Sequence, residues 1–546
     1  MKSLLERIKK PLLWAGAACL AAAGLKFWLQ TAGRLPFNSD EAVVALMARH
    51  ILQGARPVFF YGQAYMGSLD AALVALGFAL FGQQVWVIRL VQGLLYLGVL
   101  LTTGRLGQKI FGSAAAGALA MLLLALPAVN VTLYTTVSLG GYNEALLLGN
   151  LILLSALRLG GELRQGRPGG LGEWLLLGGL SGLGLWAFGL ALVYSAAAGI
   201  YLLALAPVGR GGPGLRRLAP AGAALLAGGL LGALPWVWYA VRSGPAQLLF
   251  ELGGGAIAGV EQLPWIFQVG RHLAGFLLLG VTVTLGFRPP WSADWLGLPL
   301  LPFVLILWMA LLGAGLRRLR RDPQALPAES LLWLMAAVLV GAFILTPFGA
   351  DPSGRYFVPL AVPLALIAAA GLLQWRERIG GWAWGLAGLL LVYHAWGTLQ
   401  VVRQNPPGIT TQFYAPSQVD MRAIGELERF LRANDERFGY TNYWTAYPLA
   451  FLSGEDLIYT PRLPYHLDFS HTERDNRYAP YNARVAAAPH PAYITTNFPE
   501  LDARLRQGLA ALGVSWQEAQ IGDFQVFYRL SRAVTAEELG FGVNYP

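Results

Sequence analysis

The sequence predicts an all-α polytopic membrane domain followed by a small α/β domain in water. Three observations predict this. Hydrophobic residues are 55% of the 546 positions and charged residues 13%, against about 25% charged in soluble domains. Apolar runs long enough to cross a bilayer, about 20 residues each, recur as far as Leu399. From Arg403 onward polar and charged residues return, with turn signals at Asn405-Pro406-Pro407 and Ser453-Gly454.

Crossings are expected at 11–31, 86–106, 112–130, 141–159, 172–189, 190–207, 218–241, 297–316, 329–346, 356–374 and 380–399, about eleven helices in all. Basic clusters lie at Lys2–Lys10, Arg105/Lys109, Arg158/Arg164/Arg167, Arg210/Arg216/Arg217, Arg317–Arg321 and Arg376/Arg378. Such clusters mark cytoplasmic loops. All of them fall on one side if the apolar run 264–286, which carries Arg271 and His272, lies at the outer leaflet instead of crossing. The division expected is then 1–401, a transmembrane domain with an outer loop 32–85 and an outer-leaflet segment 242–296, and 402–546, an extracytoplasmic domain. The basic N-terminus (Lys2, Arg7, Lys9, Lys10) precedes an apolar stretch with no convincing cleavage site before Phe37–Glu41. It reads as a retained first span with a cytoplasmic N-terminus.

Composition also narrows function. The net charge of +10 does not mark nucleic-acid binding, because the basic residues sit in short clusters between apolar runs. Cys19 is the one cysteine, so no disulfide forms within the chain. There is no Gly-Lys-Ser/Thr phosphate loop and no His-Glu-x-x-His.

The outer loop 32–85 is too long for a simple turn. Val43, Leu46, Met47 and Ile51 have helical spacing within Asp40–Gln53, with Ser39-Asp40 as N-cap, so an amphipathic interfacial helix is expected. Leu69–Phe81 is apolar but too short to span. In the tail, Met421–Arg432 reads as an amphipathic helix, and Ala492–Asn497 and Phe524–Leu530 read as strands.

Asp40 and Glu41 are adjacent carboxylates just beyond the first span. A carboxylate there serves as a general base or a metal ligand; the same pair also suits a helix N-terminus. Their setting carries a resemblance. Asn38-Ser39-Asp40-Glu41-Ala42, Ala48-Arg49-His50-Ile51-Leu52-Gln53-Gly54 and Tyr61-Gly62-Gln63-Ala64-Tyr65-Met66-Gly67-Ser68 resemble the first outer loop of GT-C membrane glycosyltransferases. The branch is that of protein O-mannosyltransferases and aminoarabinose transferases. Tyr443-Trp444-Thr445-Ala446-Tyr447 and Phe451-Leu452-Ser453-Gly454-Glu455 resemble tail segments of the same family.

The resemblance implies a transferase that takes a sugar from a polyprenyl phosphate lipid and gives it to an extracytoplasmic protein, lipid or glycan. It assigns the base to Asp40, with Glu41 beside it. It also implies a second acid, Glu144, facing the same cavity from the Gly140-Gly141-Tyr142-Asn143-Glu144 turn; a Glu reaching headgroup water is the plain alternative. Arg355-Tyr356 resembles the family's Arg-Tyr segment, and a guanidinium fits phosphate oxygens. Arg271 and His272 are further candidates for the donor phosphate, with His272 and Asp70 as a metal pair. A divalent metal therefore stays open, and no other cofactor is implied. Arg242 is one more phosphate candidate. Tyr61, Tyr65, Trp265, Trp291 and Trp295 suit either sugar stacking or an interfacial belt. Tyr443, Trp444, Tyr447, His466, Asp468 and His471 are candidates for an acceptor groove. The alternative from another class is a lipid or polysaccharide flippase that breaks no bond. Such transporters carry ionisable or broken helices near the midplane, in related halves, whereas here the acids cluster at the outer edge and no repeat is visible.

Overall fold

The computed structural model describes residues 2–206, 215–255, 257, 263–320, 327–404, 408–412 and 414–542. The turn expected at Asn405–Pro407 and the basic residues Arg210 and Arg321 lie outside the described residues, as do the side chains of Lys2, Arg7, Lys9, Arg216 and Arg217.

Helix α1 (Lys2–Thr31) leads into an outer loop built from α2 (Ser39–Leu52), the hairpin β1 (Phe59–Phe60) and β2 (Gln63–Gly67), and α3 (Leu69–Phe81). The bundle continues with α4 (Val85–Phe111), α5 (Ala114–Ala125), α6 (Val129–Thr136), α7 (Tyr142–Arg164), α8 (Leu171–Ala187) and α9 (Leu192–Leu205). Next come α10 (Leu215–Gly232), α11 (Leu234–Ser243), α12 (Ala246–Leu252), α13 (Trp265–Gly275) and α14 (Val281–Thr284). It closes with α15 (Leu301–Arg320), α16 (Ser330–Leu345), α17 (Ala361–Ile379) and α18 (Trp382–Gln404).

Among the described residues seven helices are long and apolar enough to cross a membrane, and up to nine if two bent pairs each count as one span. The eleven expected from sequence differ partly because some apolar runs are not straight. Helices α5 and α6 meet at 84°, around Pro127, which has no N–H to continue the ladder. Helices α10 and α11 meet at 71°. The segment expected to lie at the outer leaflet forms a continuous helical stretch, Trp265–Thr284, with a π-turn at Phe276–Gly280. At 20 residues it satisfies the same length and hydropathy test as the spans. Leu12, Leu13 and Leu20 are at least 70% exposed, a surface suited to lipid and not to water. Small residues bring α8 and α10 together: a Cβ on Gly178 would stand 2.0 Å from the Leu225 carbonyl oxygen. Close backbone approach of this kind is how helices associate where lipid removes the hydrophobic drive.

The tail is α19 (Ile424–Ala433), β3 (Phe438–Thr441), α20 (Tyr443–Leu452), β4 (Ile458–Pro461), α21 (Pro480–Ala486), β5 (Ala492–Thr496), α22 (Pro499–Ala511), β6 (Gln517–Ile521) and β7 (Phe524–Tyr528). The strands form one sheet in the order β4-β3-β5-β7-β6, with β3 parallel to β4 and β5 and the other pairs antiparallel. Leu427 and Leu431 of α19 are buried with Ile494 and Val526, as the amphipathic pattern requires. The helix and both strands expected from sequence are present; the helix begins three residues later than expected, at Ile424, and the strands end one and two residues earlier, at Thr496 and Tyr528.

The tail is clamped to the outer loop. The Ser39 hydroxyl donates to the Tyr443 carbonyl, and Arg49 Nη2 donates to the Phe451 carbonyl at 3.0 Å. Glu455 receives Tyr481 Oη at 2.8 Å, meets His50 Nε2 at 3.1 Å and lies 3.6 Å from Arg49 Nη1. Burial pushes the Glu455 carboxyl up, but the bonds from His50 and Tyr481 and the charges of His50 and Arg49 outweigh it and hold it at about 2. A depressed folded-state pKa stabilises the clamp above the free Glu value of about 4.3 and is lost as pH falls toward 2. Thermal stability is therefore expected to drop between about pH 4.5 and pH 2, with less pH dependence in Glu455→Gln. Melting curves across that range check this; identical slopes would remove the clamp's role.

Candidate active site

Consecutive residues on a helix point about 100° apart, and the first turn of α2 separates its two acids accordingly. The N-cap is Asn38, whose Oδ1 accepts from the Glu41 N–H at 3.0 Å; the expected Ser39-Asp40 cap is corrected. Glu41 turns inward and is fully buried. Its two oxygens take Arg89 Nε and Nη2, each at 3.0 Å, so the carboxylate is held by a bidentate ion pair and does not reach the cavity. Asp40 turns the other way. Its Oδ1 accepts from Tyr443 Oη of the tail at 2.5 Å.

Asp40 lines a polar cavity of about 270 Å³ between the outer loop and the tail. Arg355 lines the same cavity. Gly354 precedes it with φ +120°, a conformation that favours glycine, and the Gly354 carbonyl accepts from Asn130 Nδ2 of α6 at 3.0 Å. The bend before α6 thus helps fix where Arg355 emerges. Arg355 Nε contacts Asp351 Oδ2 at 2.6 Å, and its guanidinium lies 4.9 Å from the Tyr356 ring centre. Tyr65 lines this cavity and also a second, apolar one of about 220 Å³ between α9 and α16. Phe343, Phe348 and Tyr356 form part of that apolar wall. A polar chamber and an apolar slot thus share one side chain.

The tail supplies residues that the sequence did not single out. Arg477 lines the cavity. With the Gln63 amide oriented oxygen-inward, Arg477 Nη1 and Nη2 donate to it at 2.6 and 2.8 Å. The Arg477 backbone N–H donates to Tyr447 Oη at 2.5 Å. Asp475 lies on the same wall; burial pushes its carboxyl up to about 7, against the pull of Arg477. Behind them, Glu251 of α12 accepts from the Ala64 N–H at 2.6 Å and pairs with Arg474 at 3.4 Å. Thr411, Gln412, Tyr414, Ser417 and Tyr465 complete the tail side. Neither period nor motif marks Arg477 in the sequence; its bonds to Gln63, Tyr447 and Tyr443 set it apart.

Several candidates lie elsewhere. Asp70 accepts from Gln92 Nε2 at 2.8 Å and Ser138 Oγ at 2.5 Å, and burial raises its carboxyl. Glu144 is buried beside it. The two acids share one network that does not line the cavity. His272 Nδ1 meets the Ile344 carbonyl at 3.0 Å, in a separate network from Asp70, so the two are not brought together as metal ligands. Among the described residues no group of three or more His, Cys, Asp or Glu is placed to hold a metal ion. Arg271 is exposed on α13, and Arg242 packs over Trp238. Tyr61 stacks on Tyr478 at 4.9 Å, outside the cavity. Trp291 is buried, while Trp265 and Trp295 are exposed, and none of the three lines it. Of the tail candidates, Tyr443, Trp444 and His466 line the cavity. Tyr447 supports Arg477, Asp468 is exposed, and His471 stands apart.

No family model matches the chain, and no curated protein does. Among solved structures it is similar to ArnT from Cupriavidus metallidurans bound to undecaprenyl phosphate, at 15% identity and a TM-score of 0.57, over 94% of this chain and 97% of that one. It also matches the Archaeoglobus fulgidus oligosaccharyltransferase AglB in complex with an inhibitory peptide and a dolichol-phosphate, at 12% identity and a TM-score of 0.49, over 94% and 74% of the two chains. The ArnT likeness spans nearly the whole of both chains. This chain therefore has the fold of that ArnT structure, with several helices long and apolar enough to cross a membrane and a small sheet region toward its C-terminal end.

Proposed function

We propose that the chain is a glycosyltransferase of a cell membrane, moving a sugar from a polyprenyl phosphate donor to an extracytoplasmic acceptor. One observation carries this reading: Asp40 and Arg355, from distant parts of the chain, face one polar cavity that adjoins an apolar slot through Tyr65. The slot suits isoprenoid units and the chamber suits a sugar phosphate. The fold likeness to a protein solved with undecaprenyl phosphate supports the same donor class.

In this mechanism the acceptor hydroxyl oxygen attacks the anomeric carbon and Asp40 takes its proton. The bond from the anomeric carbon to the phosphate oxygen breaks, and polyprenyl phosphate departs with the electron pair. Attack opposite the leaving group inverts the anomeric centre. Arg355 sits on the chamber wall nearest Tyr356, where it offsets charge growing on the departing phosphate. Glu41 supports the loop that carries Asp40, and Glu144 and Asp70 support the turn behind it.

The test uses the full chain in detergent with a synthetic polyprenyl phosphate sugar. Wild type is expected to release polyprenyl phosphate. Arg355→Ala is expected to lose about 10²–10³-fold in rate, the usual cost of removing one charge-stabilising donor, and Arg355→Lys to recover part of it. Transport of the intact donor without bond cleavage would establish the flippase reading instead.

A further inference from the structure

Asp40 is presented to the cavity by the tail. Asn38 occupies the helix cap and Arg89 holds Glu41, so neither helix capping nor an ion pair within the loop explains how Asp40 is aimed. Tyr443 Oη donates to Asp40 Oδ1 at 2.5 Å, and Arg477 Nε donates to Tyr443 Oη at 3.4 Å. Tyr443 is itself fixed by two contacts. Asn442 Oδ1 caps its helix by accepting from the Trp444 N–H at 3.0 Å, and Ser39 holds its carbonyl. Arg477 is fixed by Gln63 and Tyr447.

We propose that Arg477 and Tyr443 are positioning residues that form a one-way hydrogen-bond chain, Arg477 to Tyr443 to Asp40, so that the docked tail makes Asp40 a competent base. This rests on the transfer reading above. The direction of the chain follows from its chemistry. A guanidinium has donors and no acceptor, so the Tyr443 oxygen receives and its proton must point at Asp40. Burial and the Asp40 charge push the Tyr443 phenol up, which keeps that proton in place. With Oδ1 engaged, Oδ2 is the oxygen left to meet the acceptor hydroxyl. Gln63 belongs to the outer loop and Arg477 to the tail, so the chain forms when the two bodies are together. Base and acceptor wall are then assembled in one step.

Two measurements test this. Tyr443→Phe is expected to lower kcat about 10- to 100-fold, the usual cost of misplacing a reacting group, with the donor KM unchanged within about twofold. Arg477→Ala should do the same, and Arg477→Lys should restore part of kcat by returning one donor. A kcat for Tyr443→Phe within about twofold of wild type overturns the proposal, provided wild type turns over. The second measurement needs no turnover: carboxyl labelling by a water-soluble carbodiimide, read by peptide mass spectrometry. Labelling at Asp40 is expected to rise severalfold in Tyr443→Phe and Arg477→Gln, while Glu41, held by Arg89, serves as an unchanged reference. Equal labelling of Asp40 in all three proteins overturns the chain even if the donor proves to be different, and a rise without any transferase activity overturns the transfer reading alone.

Discussion

Asp40→Asn is expected to lower sugar transfer about 10²–10⁴-fold, the range general-base help supplies, without changing the melting temperature. The substitution is nearly isosteric. The amide oxygen can still accept from Tyr443 where Oδ1 now does, so the docked tail is retained. The amide nitrogen takes the place of Oδ2 and has no lone pair for the acceptor's proton. Donor binding should persist, because Arg355 and the apolar slot beside Tyr356 are untouched. The check is single-turnover release of polyprenyl phosphate together with a binding measurement on the same preparation. Full activity in the variant removes the mechanism, and loss of both activity and folding would mean that Asp40 is a structural acid.

Asp40 was legible because a motif surrounds it; nothing in the local chemistry of Asp40-Glu41 separates the two acids. Separating them takes helix geometry plus a partner 48 residues away, Arg89 in α4, which the sequence hides inside an apolar run. The same holds for Arg477. Its neighbours Arg474 and Asp475 have the composition of a solvated loop, yet Asp475 is 7% exposed and Arg477 of the tail bonds Gln63 of the outer loop. Long-range pairing leaves no period to read. The fold was legible in broad outline, since spans and tail follow from hydropathy. The bends at Pro127 and between α10 and α11 were not, because an apolar run reports burial in lipid and not straightness. Arg355 was legible through its likeness to the family's Arg-Tyr segment, and it lines the same cavity as Asp40.

Glu41 carries the larger structural consequence. Its carboxylate is fully buried and bound at both oxygens by Arg89, which also donates to the Leu35 carbonyl at 3.0 Å. Removing one partner of a buried pair strands the other charge and costs about 3–5 kcal/mol. Glu41→Ala and Arg89→Ala are therefore each expected to lower the melting temperature in detergent strongly. The double change Glu41→Leu with Arg89→Met should recover most of it, because apolar replacement of a whole buried pair is often neutral. A catalytic Glu41 predicts the opposite pattern: lost turnover at unchanged stability, with no rescue by the double change. Since α2 begins at Ser39 and carries Asp40 on the same turn, stranding one charge of the pair also disturbs the turn that bears Asp40, and refilling the site with apolar side chains restores it. The rescued double variant should accordingly regain activity together with its melting temperature, and a stable but inactive double variant would show that the charge of Glu41 acts in the reaction itself.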